Sequence, residues 1–198
     1  MPSRQSNFEK WKQQRKAELT DNLDSIDDLI KLMMSKSKPK AERVINPTQR
    51  KFIEDPSRIK AYMGPGGSGK TVVGCTDQIL KALTIPGYKG FIGRRDYNDL
   101  LDTTGRTATE ILNNLPDGIL LDRKKAPPMQ WWLKPIITNT ELMPEPSEIT
   151  FIGLSDWLGS YEYTGGFVDE MDEVEEKFFF QMLRAMRYKP PGQPNFKS

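Results

Sequence analysis

The chain has 198 residues, 36% of them hydrophobic and 28% charged, with a formal net charge of +2. That suits one sizeable domain with or without an appendage, and the small positive balance excludes the strongly basic surface of a protein that coats nucleic acid. A single cysteine, Cys75, excludes an internal disulfide and predicts a reducing compartment, while the absence of histidine removes the commonest general base and zinc ligand. The N-terminal stretch "MPSRQSNFEKWKQQRK" has no apolar signal region and no apolar run reaches membrane-spanning length, so a soluble intracellular protein is expected.

In chain order, residues 1–43 differ from the rest and read as an N-terminal helical arm ending in a basic linker. Ser6 or Asn7 can cap a first helix carrying Phe8, Trp11 and Leu19. Ser25 with Asp28 three residues later is the pattern of a capping box, and Ile26, Leu29, Ile30, Met33 and Met34 then share one helical face. These helices either pack on their own domain or reach to a neighbouring subunit or partner. In the linker "SKSKPKAER" (35–43), Lys36, Lys38 and Lys40 either touch phosphate or are solvated.

From 44 to 198 the pattern alternates strand and helix, which predicts an α/β domain with a mainly parallel central sheet flanked by helices. Strands are expected at "RIKAYMG" (58–64), "KGFIGRR" (89–95), "GILLD", "MQWWLKPIITNTEL", "SEITFIGL" and the start of "GGFVDE" (165–170), with the fourth and fifth able to form a hairpin. Helices are expected over 70–84, over 96–115 with Gly105 as a potential break, and over 174–187. The tail "YKPPGQPNFKS" reads as a loop. Trp131 and Trp132 read as core or hairpin packing, with stacking on bases as the alternative.

Gly64-Pro65-Gly66-Gly67-Ser68-Gly69-Lys70-Thr71 matches G-x-x-x-x-G-K-[ST] between a predicted strand and a predicted helix. Glycines let successive backbone N–H groups turn inward as an anion-binding nest, and the following helix aims its unpaired N–H groups and positive dipole end at the same anion. In such a loop Lys70 reaches the β- and γ-phosphates and the Thr71 hydroxyl ligates Mg²⁺. Val72 and Val73 begin the buried face of the helix, and Cys75 beside them is core filling.

A phosphate cradle needs a metal anchor and a group that orients water before it can hydrolyse a nucleotide. Phe167 and Val168 lead into Asp169 and Glu170 at a strand end. Strand alternation turns adjacent side chains to different sides, so Asp169 can hold Mg²⁺ while Glu170 polarises the attacking water. Asp172, Glu173, Glu175 and Glu176 then read as an acidic helix start. Upstream, Gln49 in "NPTQRKF" carries a donor and an acceptor that match an adenine edge; a solvent-facing glutamine at a helix start is the alternative.

Five pieces in order, "NPTQRKF", "GPGGSGKT", "FIGRRDYNDLLDTT", "SEITFIGLSD" and "YTGGFVDEMDEV", resemble the ATPase domain of the large terminase subunit of tailed bacteriophages, over roughly residues 44–190. The resemblance implies a P-loop NTPase of the ASCE type that uses ATP and Mg²⁺ to drive double-stranded DNA into a preformed capsid. It implies Gln49 as adenine reader, 64–71 as phosphate loop, Thr71 and Asp169 as Mg²⁺ ligands, and Glu170 as catalytic carboxylate. Implied partners are double-stranded DNA, the small terminase subunit, the capsid portal protein and further copies in a ring, in the cytoplasm of an infected bacterium; an isolated chain can still be monomeric.

The sequence departs from that family in two ways. Many terminases carry an arginine inside the phosphate loop, and "GPGGSGK" has none. Charge on the γ-phosphate would then be met by Arg94, Arg95, Arg106 or Arg123, in cis or from a neighbour, although any single one of them reads more readily as a solvated surface arginine. The family's chain also continues into a coupling strand and a nuclease domain, for which 198 residues leave no room, so no nuclease activity is expected. The same nucleotide residues would serve a helicase- or recombinase-like ATPase, a catalytically silent assembly protein whose first helices recruit a partner, or, less naturally, a small-molecule kinase.

Overall fold

The structure is a computed structural model that describes residues 26–34, 45–136, 145–155 and 161–190. Expectations for the first arm helix, Ser25, the 35–43 linker and the end of the tail lie outside those residues. Among the described residues, six helices and five strands follow in order: α1 (Ile26–Met34), α2 (Pro47–Glu54), α3 (Lys70–Thr84), β1 (Lys89–Arg94), α4 (Tyr97–Asp99) running through a π-helical turn (Leu100–Gly105) into α5 (Arg106–Leu112), β2 (Leu120–Lys124), β3 (Gln130–Leu133), β4 (Ser147–Gly153), β5 (Gly165–Val168), a 3-10 turn (Met171–Glu173) and α6 (Glu176–Ala185). No described helix is long and apolar enough to cross a membrane.

The sheet order is β2-β3-β4-β1-β5. Its functional half is parallel: β1 runs alongside β4 and β5, with Ile92 opposite Phe151 and Phe167. The β2 and β3 strands continue the sheet beyond β4 in antiparallel register, so β3 and β4 do pair as the expected antiparallel neighbours. Side-chain alternation buries the central strands on both faces. Ile92 and Phe151 join α1, α3 and α5 in one core with Leu29, Met33, Ile79, Leu83 and Trp131. Phe91 and Ile152 face the other way, into a smaller cluster with Tyr163, Met182 and Ala185. The result is helix on sheet on helix, with α3 packed across β1, β4 and β5. The α1 helix buries Leu29, Ile30 and Met33 in the main core and ties back through Arg50 to Asp27.

Three expectations are corrected. Residues 58–64 join no ladder. Their alternation is real, but Ile59 and Met63 are exposed (Met63 at 90%). A strand needs a pairing partner; this segment is fixed instead by a side chain. The Lys60 ammonium, on a side chain only 10% exposed, donates to Phe52 O at 2.7 Å and to Asp77 Oδ1 at 3.2 Å, over the Phe52 ring. Gly105 breaks nothing: with φ −64 it passes from the π-helical turn into α5. The acidic run is not one helix start, since Asp172 and Glu173 form the 3-10 turn and Glu175 flanks α6 without a side-chain cap.

Candidate functional site

The loop between the lead-in and α3 turns on two left-handed glycines, Gly67 at φ 75 and Gly69 at φ 82. A residue with a Cβ enters that region at a cost of about 1–2 kcal/mol. At Gly69 a Cβ would also stand 2.5 Å from Gln49 Nε2, so that side chain would have to shift. Ser68 N donates to Pro65 O at 3.3 Å and closes the turn, while Ser68 Oγ is buried without a hydrogen-bond partner. The α3 helix starts at Lys70 with no side-chain cap, so its first amides face the loop as an anion-attracting end. Lys70 folds back over the loop, its ammonium donating to Gly64 O at 2.8 Å and Pro65 O at 3.1 Å. The cation therefore sits on the carbonyls of the ring of residues that a phosphate would enter.

The acidic side stands on the sheet. One residue past β5, Asp169 N donates to Gly93 O at 2.9 Å and continues the parallel ladder. That fixes the Asp169 carboxylate inward and 6% exposed, where Oδ2 accepts from Thr71 Oγ1 at 2.9 Å and from Thr104 Oγ1 at 2.7 Å. Two segments 98 residues apart thus meet through one hydrogen bond. Phe167 supports the junction from below: it lies so close to Gly74 of α3 that a Cβ there would fall 2.3 Å from its ring.

Glu170 lies beyond the end of β5 and is the one described non-glycine residue with positive φ, at 53, so the left-handed backbone and not strand alternation sets its direction. Its Oε2 pairs with Arg94 Nη2 at the end of β1. Arg94 Nη1 in turn donates to Thr103 Oγ1 at 2.8 Å. Partial burial pushes the Glu170 carboxyl above the usual glutamate range; the Arg94 guanidinium works against that shift, and the charges of Glu173 and Asp169 add to it.

The structure therefore brings Lys70, Thr71, Asp169 and Glu170 to one place. Gln49 comes with them, buried and with its amide nitrogen beside Gly69, but its Oε1 accepts from Asn46 N at 3.1 Å in a capping box that starts α2. Among the arginines, Arg94 is engaged by Glu170, and Arg95 is exposed. Arg106 and Arg123 line a separate groove of about 440 Å³ with Glu110, Lys125 and Met129. Cys75 is fully buried, its thiol pushed up by burial and set 3.8 Å from Thr104 O, as befits core filling. Sequence reading missed Thr103 and Thr104. Their signal was two adjacent β-branched residues and a glycine inside a helix, a poor helical stretch with no visible reason.

The donor set suits a hard cation. Thr71 and Asp169 present a hydroxyl and a carboxylate in contact, and Mg²⁺ favours one or two such oxygens with phosphate and water completing its shell. Among the described residues no three His, Cys, Asp or Glu gather into an all-protein metal cage.

A glycine-rich loop at a helix start, facing carboxylates at the end of a parallel strand, is consistent with a P-loop-like α/β fold. The chain resembles in structure a large terminase from a thermophilic bacteriophage, with a TM-score of 0.56 and 15% identity, over 72% of this chain and 36% of that one. At that identity the likeness is one of fold, and this chain spans little more than a third of the neighbour's length. No protein-family model matches the sequence, and no curated protein does.

Proposed function

We propose that this chain is the ATP-hydrolysing motor domain of a large terminase, of the ASCE type, which moves double-stranded DNA into a capsid. The observation that carries the reading is the 2.9 Å contact between Thr71 of the phosphate loop and Asp169 of the acidic strand end. The terminase-like fold and the order of the five sequence pieces support the substrate.

The chemistry is one of exchanging partners. The Lys70 ammonium leaves the Gly64 and Pro65 carbonyls for phosphate oxygens, which bring the charge those carbonyls lack. Bound Mg²⁺ would neutralise charge building up on the phosphate oxygens. Thr71 and Asp169 would hold it, Thr71 through the oxygen lone pairs that its hydrogen bond to Asp169 leaves free. Glu170 must part from Arg94 to take a proton from water, and Arg94, once released, is a cation available for negative charge at the same site. Gln49 Nε2 beside Gly69 is placed at the base of the loop, where it can donate to a nucleotide base. Portal protein, small subunit and a ring of copies are the partners this reading calls for.

ATP turnover by the full chain, with and without double-stranded DNA, tests the proposal. Turnover that DNA stimulates, and that Glu170→Ala lowers by about 10²–10⁴-fold while nucleotide still binds, is expected. Wild-type turnover in that variant would remove Glu170 from the chemistry. Stimulation by single-stranded DNA with unwinding would favour a helicase-like motor, and no hydrolysis even with DNA and partner proteins present would favour a silent assembly protein.

A further inference from the structure

We infer that Thr104, in the π-helical turn Leu100–Gly105, is the positioning residue for Asp169: its hydroxyl holds the carboxylate in place for the cation. The inference rests on the nucleotide site proposed above. The helix from Tyr97 to Leu112 contains four threonines, Thr103, Thr104, Thr107 and Thr109. Three of them do what threonine commonly does in a helix, donating to the carbonyl four residues back: Thr103 to Asp99 O at 2.6 Å, Thr107 to Thr103 O at 3.2 Å, Thr109 to Gly105 O at 2.7 Å. Thr104 instead reaches across to the sheet, donating to Asp169 Oδ2 at 2.7 Å.

Thr104 is fully buried, so that hydroxyl is committed to the carboxylate with no water to replace it. The irregular winding gives the placement its cause. A π-helical turn adds a residue to the turn and rotates the positions within it, and such turns recur at functional sites. Here it sends two neighbouring hydroxyls to the two acidic residues' surroundings, Thr104 to Asp169 and Thr103 to the arginine that pairs with Glu170. Thr71 makes the companion bond to the same Asp169 oxygen, but Thr71 is the residue the cation would recruit. Thr104 belongs to the π-helical turn and not to the phosphate loop, and on this reading it keeps its bond when the cation binds. Partners behind a metal ligand typically tune metal affinity about 10–100-fold when lost.

The test is Mg²⁺-dependent binding of a fluorescent ATP analogue to the full chain, comparing the parent with Thr104→Val, which keeps the shape, and Thr104→Ser, which keeps the hydroxyl. Thr104→Val should raise the Mg²⁺ concentration for half-maximal binding about 10-fold and leave binding in chelator unchanged, with Thr104→Ser close to the parent. Thr104→Ala, which leaves no polar atom and less bulk, should show the same Mg²⁺ shift. Overturning results are an unshifted Mg²⁺ requirement in Thr104→Val, an equal loss with and without Mg²⁺, or failure of both Val and Ala variants to fold, which would assign the hydroxyl to the core alone. A parent that binds no MgATP overturns the nucleotide-site reading and this inference together; a parent that binds, beside an unaltered Thr104→Val, overturns this inference only.

Discussion

On one side of the site, residues 61–69 reach α3 without a ladder, on left-handed glycines, with Lys70 satisfied only by its own loop. On the other, Asp169 hangs from the sheet through Gly93, is gripped by a buried threonine, and has Phe167 wedged beneath it against Gly74. The difference teaches where rearrangement is cheap. Backbone outside a ladder and a cation resting on carbonyls can change partners at little cost, whereas an extended parallel strand cannot. On the proposed reading, the metal-anchoring side is built in advance, and the phosphate-grasping side is completed by what it grasps.

Removing the loop side's cation should hurt most. Lys70→Ala is expected to weaken MgATP binding about 100-fold, near 2.7 kcal/mol, by equilibrium titration; unchanged affinity would mean that the loop does not bind phosphate. Next in size is an attack on the joint between the two sides. Gly74→Val drives a branched side chain into the Phe167 ring, and a stability loss of about 1–3 kcal/mol in denaturant unfolding is expected, with weaker Mg²⁺-dependent binding. A variant as stable as the parent would show that α3 and β5 slide freely, and the contrast between a fixed and a free side would fail. The smallest effect concerns pH. Arg94 holds the Glu170 carboxyl down against burial, so Arg94→Met lets it rise. The protonated, inactive form then persists to higher pH, and the acid limb of ATP turnover should move upward. A limb that stays in place would indicate that another group titrates.

Spacing alone made the glycine-rich loop before α3 legible, because its left-handed turns need glycine at Gly67 and Gly69. The β1, β4 and β5 strands were legible as short apolar runs bounded by turns, and the place of Asp169 and Glu170 just past the end of β5 followed from that. The lead-in at 58–64 was misread because alternation reports a half-buried extended segment, and says nothing of whether a neighbour exists to pair with it. Likewise β2 starts at Leu120, two residues later than "GILLD" suggests, because Gly118 at φ 86 belongs to the turn. The π-helical turn was not legible at all. An i→i+5 winding is selected by what the helix must meet, here Arg94 and Asp169, and those contacts span 9 and 65 residues of sequence. The engagement of Glu170 by Arg94 was hidden for the same reason: the sequence offered the arginine as a candidate finger or as solvated surface, not as the partner of a carboxylate 76 residues away.

Asp77 gives the loop a lever. It lies buried in α3, about two turns beyond Lys70, and receives Lys60 from the lead-in at 3.2 Å and Lys81 from its own helix at 2.7 Å. An ionic rivet at that depth joins the approach to the loop with the middle of the helix that leaves it. On the proposed reading, a ligand that drew residues 61–64 aside would therefore pull partway along α3, the helix that packs across β1, β4 and β5.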